Sequence, residues 1–397
     1  MGLFPDAEYL IRLTKTKEQM AVKGIDVLIL TDPANMNYLS GYDGWSFYVH
    51  QMLMVFLDEE QPYWVGRAQD ANGARHTAFL DGAHILPYPE DHVQSSEKHP
   101  MDFAVSFLHQ KQCGNKRIGV EKDAYYFTAL SLERLQMGLP NARFVDATLL
   151  VNYVRLIKSN QEIELMRKAG VIASKAMRTA MEFIEVGARQ CDVAAQIYHS
   201  QISGTEEFGG DYPSIVPLMP SGEKTSAPHI TWSDERYQPG ETVIVELAGC
   251  VHRYHSPLSR TITLGDPDPR VTYLAEVVVE GLNTALDVVK PGVTLEEVEA
   301  AWRGVIARHG FEKESRIGYA MGLNYPPDWG EHTASIRRGD KTVLQPNMTF
   351  HMIPGMWMDN YGVELSEAFR VTETGVEVFA DVPRELHVKP HLTLRGA

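Results

Sequence analysis

Apolar side chains at Leu10, Leu13, Met20 and Ala21 recur at helical spacing, which predicts a helix over residues 6–23 that stops at Gly24. Short apolar runs follow at Val27-Leu28-Ile29-Leu30, Met52 to Leu57, Tyr63-Trp64-Val65, Ile85-Leu86 and Arg117-Ile118-Gly119-Val120, and read as strands. Helical patterns over 70–80, 101–108 and 125–137 alternate with them. The alternation predicts a small α/β domain with helices on a sheet, ending near Leu150.

From Ser159 the pattern changes. Ser159 suits a helix N-cap with Glu162 completing a capping box, and Ile163, Met166, Ile172 and Met177 follow with a helical period as far as about Gly187. Residues 154–159 are therefore the expected junction, dividing the chain into domains 1–154 and 155–397. A second helix is expected around 192–202, then a loop over 204–210 leading to Asp211-Tyr212-Pro213. Val243-Ile244-Val245-Glu246 reads as an apolar strand ending on a carboxylate, followed by a turn at Gly249 and a second strand starting near His255. Helices over 271–289 and 295–309 are separated by Pro291-Gly292, and long strands are expected over 348–357 and 361–371. The second domain is thus α+β, helices covering a mostly antiparallel sheet. The tail after Val382 is expected to be poorly ordered or to pack on a neighbour.

Composition narrows the classes of function. The formal net charge of -15 and the lack of a Lys/Arg run argue against nucleic acid or an anionic membrane as partner. The N-terminus lacks the basic and apolar regions of a signal peptide, so a cytoplasmic enzyme is expected. Cys113, Cys191 and Cys250 show no metal-ligand spacing, and Cys250 reads as a small apolar filler after a strand. Glu246 stands out, because a carboxylate on a buried strand must find a partner or shift its pKa. Gly41 to His50 carries four aromatic residues, Tyr42, Trp45, Phe47 and Tyr48, and either covers the domain core or lids a ligand.

Several segments resemble, in order, the family of creatinase, prolidase and methionine aminopeptidase. They are Arg155-Leu156-Ile157-Lys158-Ser159 with Glu162, Ser221-Gly222 through Ala227-Pro228-His229, Pro239-Gly240-Glu241 with the Glu246 strand, Pro354-Gly355, and Gly362-Val363 through Gly375. The resemblance implies an α/β N-terminal domain plus an α+β pita-bread catalytic domain. It also exposes substitutions. Peptidases of the family hold two metal ions with two Asp, a His and two Glu; at the matching positions stand Glu246, Pro257, Tyr319, Ile353 and Ser366. Pro and Ile offer no side-chain ligand, so no metal cofactor is expected. What matches the family's catalytic apparatus is His229, shared with the metal-free member creatinase, which implies a non-metal amidinohydrolase.

Closer still, residues 35–51, Gly209-Gly210-Asp211-Tyr212-Pro213 and Tyr325 to Thr333 look like those of the bacterial ectoine hydrolases. The resemblance implies hydrolysis of the cyclic amidine ectoine to N-acetyl-2,4-diaminobutyrate, with a deacetylase downstream, and a homodimer. Ectoine's electrophilic carbon lies between two nitrogens that share a positive charge, so a carboxylate can hold its N–H groups or attack it. Glu246 is the first candidate, as nucleophile or as general base for water. His229 suits proton transfer to the departing nitrogen. Glu364 alternates with Ser366 and is the candidate second carboxylate, while Glu367 faces away. His255 either lines the site or packs beneath it. Tyr212, Tyr319, Trp329 and Trp357, with Trp45 and Tyr48, could enclose the cationic ring, and Glu331 and His332 lie in the loop that replaces a substrate-binding segment of creatinase. That loop lacks creatinase's Arg, which leaves no partner assigned to the substrate carboxylate. The rivals are a creatinase-like hydrolase of another cationic solute, a metal-dependent Xaa-Pro peptidase and a non-catalytic solute-binding module.

Overall fold

The computed structural model describes residues 2–390. The chain divides into two compact units, Met1–Arg155 and Leu156–Ala397.

Unit 1 is built on a six-stranded sheet. In chain order its elements are α1 (Asp6–Val22), β1 (Val27–Leu30), α2 (Pro33–Ser40), β2 (Met52–Phe56), β3 (Tyr63–Arg67), α3 (Ala71–Thr77), β4 (Ile85–Tyr88), α4 (Pro100–Gln110), β5 (Arg117–Val120), α5 (Ala129–Gly138), β6 (Arg143–Asp146) and α6 (Leu150–Arg155). The sheet order is β4-β3-β2-β1-β5-β6. Antiparallel pairs join β1, β2 and β3, and parallel pairs attach β4, β5 and β6. Strand β6 and helices α2 and α6 escaped the sequence pattern. β6 is a partly exposed edge strand, and α2 is buried all round, with Asn35, Asn37 and Ser40 among its apolar residues. Both lack the period that marks an element with one wet face.

Unit 2 begins with α7 (Asn160–Phe183), whose Ser159 and Glu162 form the expected capping box, and α8 (Gln190–Ser203). Then come β7 (Thr242–Val251), β8 (Tyr254–Leu264), α9 (Pro269–Val288) and α10 (Leu295–Arg308). The closing segment holds β9 (Gly318–Met321), β10 (Gly330–Ile336), β11 (Thr349–Met352), β12 (Met356–Trp357), β13 (Gly362–Val363), β14 (Glu367–Val371), β15 (Val376–Val378) and β16 (His387–Lys389). Strands β10-β9-β11-β14-β15 form an antiparallel sheet, while β16 adds in parallel to the β8-β7 hairpin. The expected long strands are each broken. Ile353-Pro354-Gly355 separates β11 from β12, and Glu364 to Ser366 separates β13 from β14. The tail is also more ordered than expected as far as Lys389, because β8 offers it an open edge.

The hairpin differs from its expected form in a way that matters for function. Strand β7 runs straight through Gly249 to Val251, so Glu246 lies mid-strand and not at a strand end. The turn falls instead on His252 and Arg253, with φ 49° and 67°, the positive pair that a two-residue hairpin needs. Arg253 tolerates this because it is tied down: its guanidinium donates to the Tyr212 carbonyl (3.2 Å), pairs with Asp211 (3.1 Å) and lies 3.6 Å from the Tyr212 ring centroid. Gly249 serves a close approach. A Cβ there would stand 1.9 Å from the Ala169 carbonyl oxygen of α7.

Side-chain alternation then sorts the hairpin. Val243, Val245 and Leu247 join Leu258 and Ile262 in a core with Ala173, Ala176, Met177 and Ala180 of α7. Glu246, of opposite parity, points to the other face, paired across the ladder with Ser259. No helix among the described residues is long and apolar enough to cross a membrane. Gly249→Ala is expected to lower stability by about 1–3 kcal/mol or more by forcing α7 off the hairpin, read as a fall in the denaturant midpoint.

Candidate active site

On the face of the hairpin turned away from α7, two carboxylates share a buried space. Glu246 is 6% exposed and Glu364 2% exposed. Backbone bonds in both directions with the Thr261 hydroxyl, each 2.9 Å, hold Glu364 to β8. Neither carboxylate is neutralised in the usual way. Among the described residues, Glu246 makes no side-chain hydrogen bond or ion pair, and Glu364 Oε1 is buried without a hydrogen-bond partner. Burial drives the Glu246 carboxyl well above its ordinary value, and the charges of Glu364 and Asp328 push the same way. Burial likewise raises Glu364 to about 7, opposed by the Ser259 hydroxyl and the Lys313 ammonium.

Cations and hydrogen-bond donors border the pair. Lys313 lies 4.4 Å from the Trp357 ring centroid and donates to the Gly355 carbonyl at 2.6 Å; burial lowers it to about 8 against the pull of Glu364. Trp357 Nε1 is a buried donor without an acceptor, and Gly355 keeps room here, since a Cβ on it would stand 2.6 Å from the Trp357 ring and 3.1 Å from Glu364. Burial alone would raise the Asp328 carboxyl, but the His332 ring (2.6 Å) and the Gly330 N–H (2.9 Å) hold it below its ordinary value. Arg316 lies 4.6 Å from the Tyr319 ring centroid, hydrogen-bonds Ser335 and, among the described residues, is in ion-pair contact with no carboxylate. Tyr319 itself is raised by burial and then by the charge of Glu246.

The remaining candidates divide clearly. Trp329 is fully buried, its indole N–H given to the Tyr319 oxygen at 2.8 Å. His229 sits in an exposed turn at φ 66°, and the Met219–Ile230 backbone bond (2.8 Å) ties that turn to the segment whose Leu218 bridges Glu246. His332 is exposed and serves Asp328. Tyr212 is occupied by Arg253. Trp45 and Tyr48 belong to unit 1, where both are exposed while Tyr42 of the same loop is buried.

For two candidate substrate contacts the structure gives a different role: His255 takes the second of its two alternatives, and Glu331 is corrected. His255 has both ring nitrogens engaged by the protein, Nε2 with the Ser214 N–H (2.9 Å) and hydroxyl (3.0 Å), Nδ1 with the Gly322 carbonyl (3.4 Å). Burial, with Arg253 beside it, lowers His255 to about 3, so it is a neutral strut beneath the site. Glu331 is locked in an ion pair with Lys158 at 2.8 Å, the two side chains 0% and 1% exposed. The site residues that sequence reasoning did not single out are Lys313, Arg316, Asp328 and His351. His351 carried a legible signal, since it shares strand parity with Ile353; Lys313 and Arg316, in a loop, carried none.

The geometry can now be set beside known proteins. Residues 164–373 match the model for metallopeptidase family M24, and residues 12–157 match the creatinase/prolidase N-terminal domain. The chain belongs to metallopeptidase family M24. It is a hydrolase of the creatinase and prolidase type, and its fold is the creatinase N-terminal domain followed by the M24 pita-bread domain. It is 48% identical over 386 residues to an uncharacterized hydrolase/peptidase, y4tM, of Sinorhizobium fredii, covering 97% of this chain and 98% of that one. It is 44% identical over 393 residues to the ectoine hydrolase of Halomonas elongata, with 97% and 98% covered. Among solved structures, the Thermococcus sibiricus prolidase superposes with a TM-score of 0.84 at 20% identity, covering 96% of this chain and 99% of that one.

The metal centre implied by an M24 peptidase does not fit these residues. Of the five positions, Pro257 and Ile353 present hydrocarbon, and the Tyr319 and Ser366 oxygens are joined through hydrogen bonds to His351. Only Glu246 keeps a ligand of the kind a hard cation needs.

Two predictions follow from the electrostatics. Lys158→Met should cost about 3–5 kcal/mol of stability by removing the cation paired with buried Glu331, while a Lys158→Met/Glu331→Leu double variant should recover much of it in chemical denaturation. Glu364 gives up its proton near 4.5 when unfolded and near 7 when folded, so the native state holds an extra proton between those values. Stability of the ligand-free protein should therefore fall as pH rises from about 4.5 to about 7, and Glu364→Gln should flatten that slope in melting curves.

Proposed function

We propose that this M24 hydrolase adds water to the cyclic amidine ectoine and opens its ring to N-acetyl-L-2,4-diaminobutyrate without a metal ion. One observation carries the reading: Glu246 and Glu364 are buried near one another, and neither forms an ion pair among the described residues. Two such carboxylates call for a small cation with more than one N–H, and an amidinium is that cation. The likeness to a protein named ectoine hydrolase points to the same ligand.

Ectoine supplies its own activation, because its positive charge already makes the carbon between the nitrogens electrophilic. Glu246 either attacks that carbon or takes a proton from the water that does. Glu364 holds the ring N–H groups, with Trp357 and Lys313 closing that side, and His229 protonates the departing nitrogen. The water adds one oxygen to carbon, the C–N bond breaks, and the water's protons end on the product. Arg316 is the natural partner for the substrate carboxylate, since its guanidinium lies over Tyr319 without a carboxylate of its own. The product's acetyl group is then removed by a deacetylase, and the working assembly in this scheme is a homodimer.

Incubation with ectoine in chelator, followed by mass spectrometry, tests the proposal. The expected product is ectoine plus one water; unchanged ectoine beside cleavage of an Xaa-Pro dipeptide on adding metal would overturn it. Glu246→Gln should lower kcat by at least ~10³-fold with the fold retained, and near-normal turnover would remove its assigned role. Arg316→Ala should raise KM by ~10–100-fold with little change in kcat, as fits a lost charged hydrogen bond. Because both carboxylates must be ionised to receive a cation, kcat/KM should rise as pH rises through about 7.

A further inference from the structure

A chain of hydrogen bonds crosses the floor of the site. The Ser259 N–H donates to Ser366 Oγ at 2.7 Å; Ser366 Oγ meets His351 Nε2 at 2.8 Å; His351 Nδ1 meets the Tyr319 oxygen at 3.0 Å; and the Trp329 indole N–H donates to that oxygen at 2.8 Å. Both fixed donors, one at each end, point inward. Burial lowers His351 to about 3, so the imidazole is neutral and has one proton to place between its two nitrogens.

Counting protons along the chain settles the direction. Ser366 is fully buried, and His351 Nε2 is the only acceptor its hydroxyl reaches among the described residues. The hydroxyl proton therefore goes to Nε2, which places the imidazole proton on Nδ1, donated to the Tyr319 oxygen. That oxygen then accepts two hydrogen bonds, from His351 and from Trp329, and its own O–H has no acceptor among the described residues. The alternative tautomer would leave the Ser366 hydroxyl proton buried with no acceptor, at a cost of about 1–3 kcal/mol. Tyr319 is half-buried, and the charge of Glu246 reaches it, so its O–H is free to point into the space that Glu246 faces.

We propose that Tyr319 is the hydrogen-bond donor to the oxygen being added at the substrate's electrophilic carbon, and that His351 is the positioning residue that, by donating through Nδ1, frees the Tyr319 hydroxyl for that task. The donor keeps its proton throughout, because burial and the Glu246 charge both oppose ionisation of the phenol. The proposal rests on the hydrolytic function proposed above, but its central geometric claim can be read without turnover.

Nitrogen-15 NMR of histidine-labelled protein without substrate, with His351 assigned by the signal lost in His351→Gln, reports the tautomer. Protonated Nδ1 with bare Nε2 is expected; protonated Nε2 would overturn the assignment whatever the substrate proves to be. In turnover of ectoine, Tyr319→Phe should lower kcat by about 10²–10³-fold with KM nearly unchanged and melting temperature retained. His351→Gln, whose amide can donate to Tyr319 and accept from Ser366, should keep more of kcat than His351→Leu. Adding Tyr319→Phe to His351→Leu should cost little more, since both act through one hydroxyl. Full turnover by Tyr319→Phe, or equal losses in the two His351 variants, would overturn the proposal. If wild-type protein leaves ectoine intact while the Nδ1 tautomer is seen, the substrate assignment fails and the hydroxyl's placement stands.

Discussion

Taking a carboxylate out of water costs several kcal/mol unless something replaces its hydration, and the catalytic unit meets that demand in two opposite ways. Glu331 is neutralised by Lys158, and Glu367 by Arg260 at 2.6 Å with Arg384 at 3.2 Å. Each of these two glutamates therefore has a cation in direct contact. Glu246 and Glu364, buried to a similar degree, have no cation in ion-pair contact among the described residues, and the charge of Glu364 raises the affinity of Glu246 for a proton. The contrast separates scaffold from site more sharply than burial alone, since all four glutamates are almost fully enclosed.

The hairpin makes this arrangement possible. Its α7-facing positions carry the apolar residues that anchor it, and Gly249 lets the helix backbone come into contact. Glu246 is thereby projected from the middle of a rigid strand and not from a loop, which limits its motion. Tyr319 and Ser366, at two of the positions compared with the metal ligands of the M24 peptidases, form a hydrogen-bonded row through His351. Two other such positions carry hydrocarbon in place of a ligand, and the row supplies polar satisfaction without a charge.

Much of the fold was legible in the chain because its helices are amphipathic and well capped. Ser159 and Glu162 marked the start of α7, and Pro291-Gly292 separated α9 from α10. Elements without a wet face, such as α2, gave no periodic signal, and strand breaks at Ile353-Pro354-Gly355 and Glu364 to Ser366 passed as continuous apolar runs. For the site, Glu246 announced itself as a carboxylate on an apolar strand, and Glu364 by its position among the closing segments. Glu331 was misread, and His255 left between two roles, because sequence shows residue type and not partner; each is engaged by a group far away in the chain, Lys158 or Ser214.

The sequence by itself determined the family, the two-part architecture and the loss of the metal ligands, since each depends on which residues stand at fixed positions. Only the tertiary structure decided which buried charges are paired, where Lys313, Arg316 and Asp328 converge, and how His351 joins Tyr319 to Ser366. Those are contacts between segments distant in the chain. Their energies depend on distance and shared burial, quantities that exist only after the strands have been brought side by side.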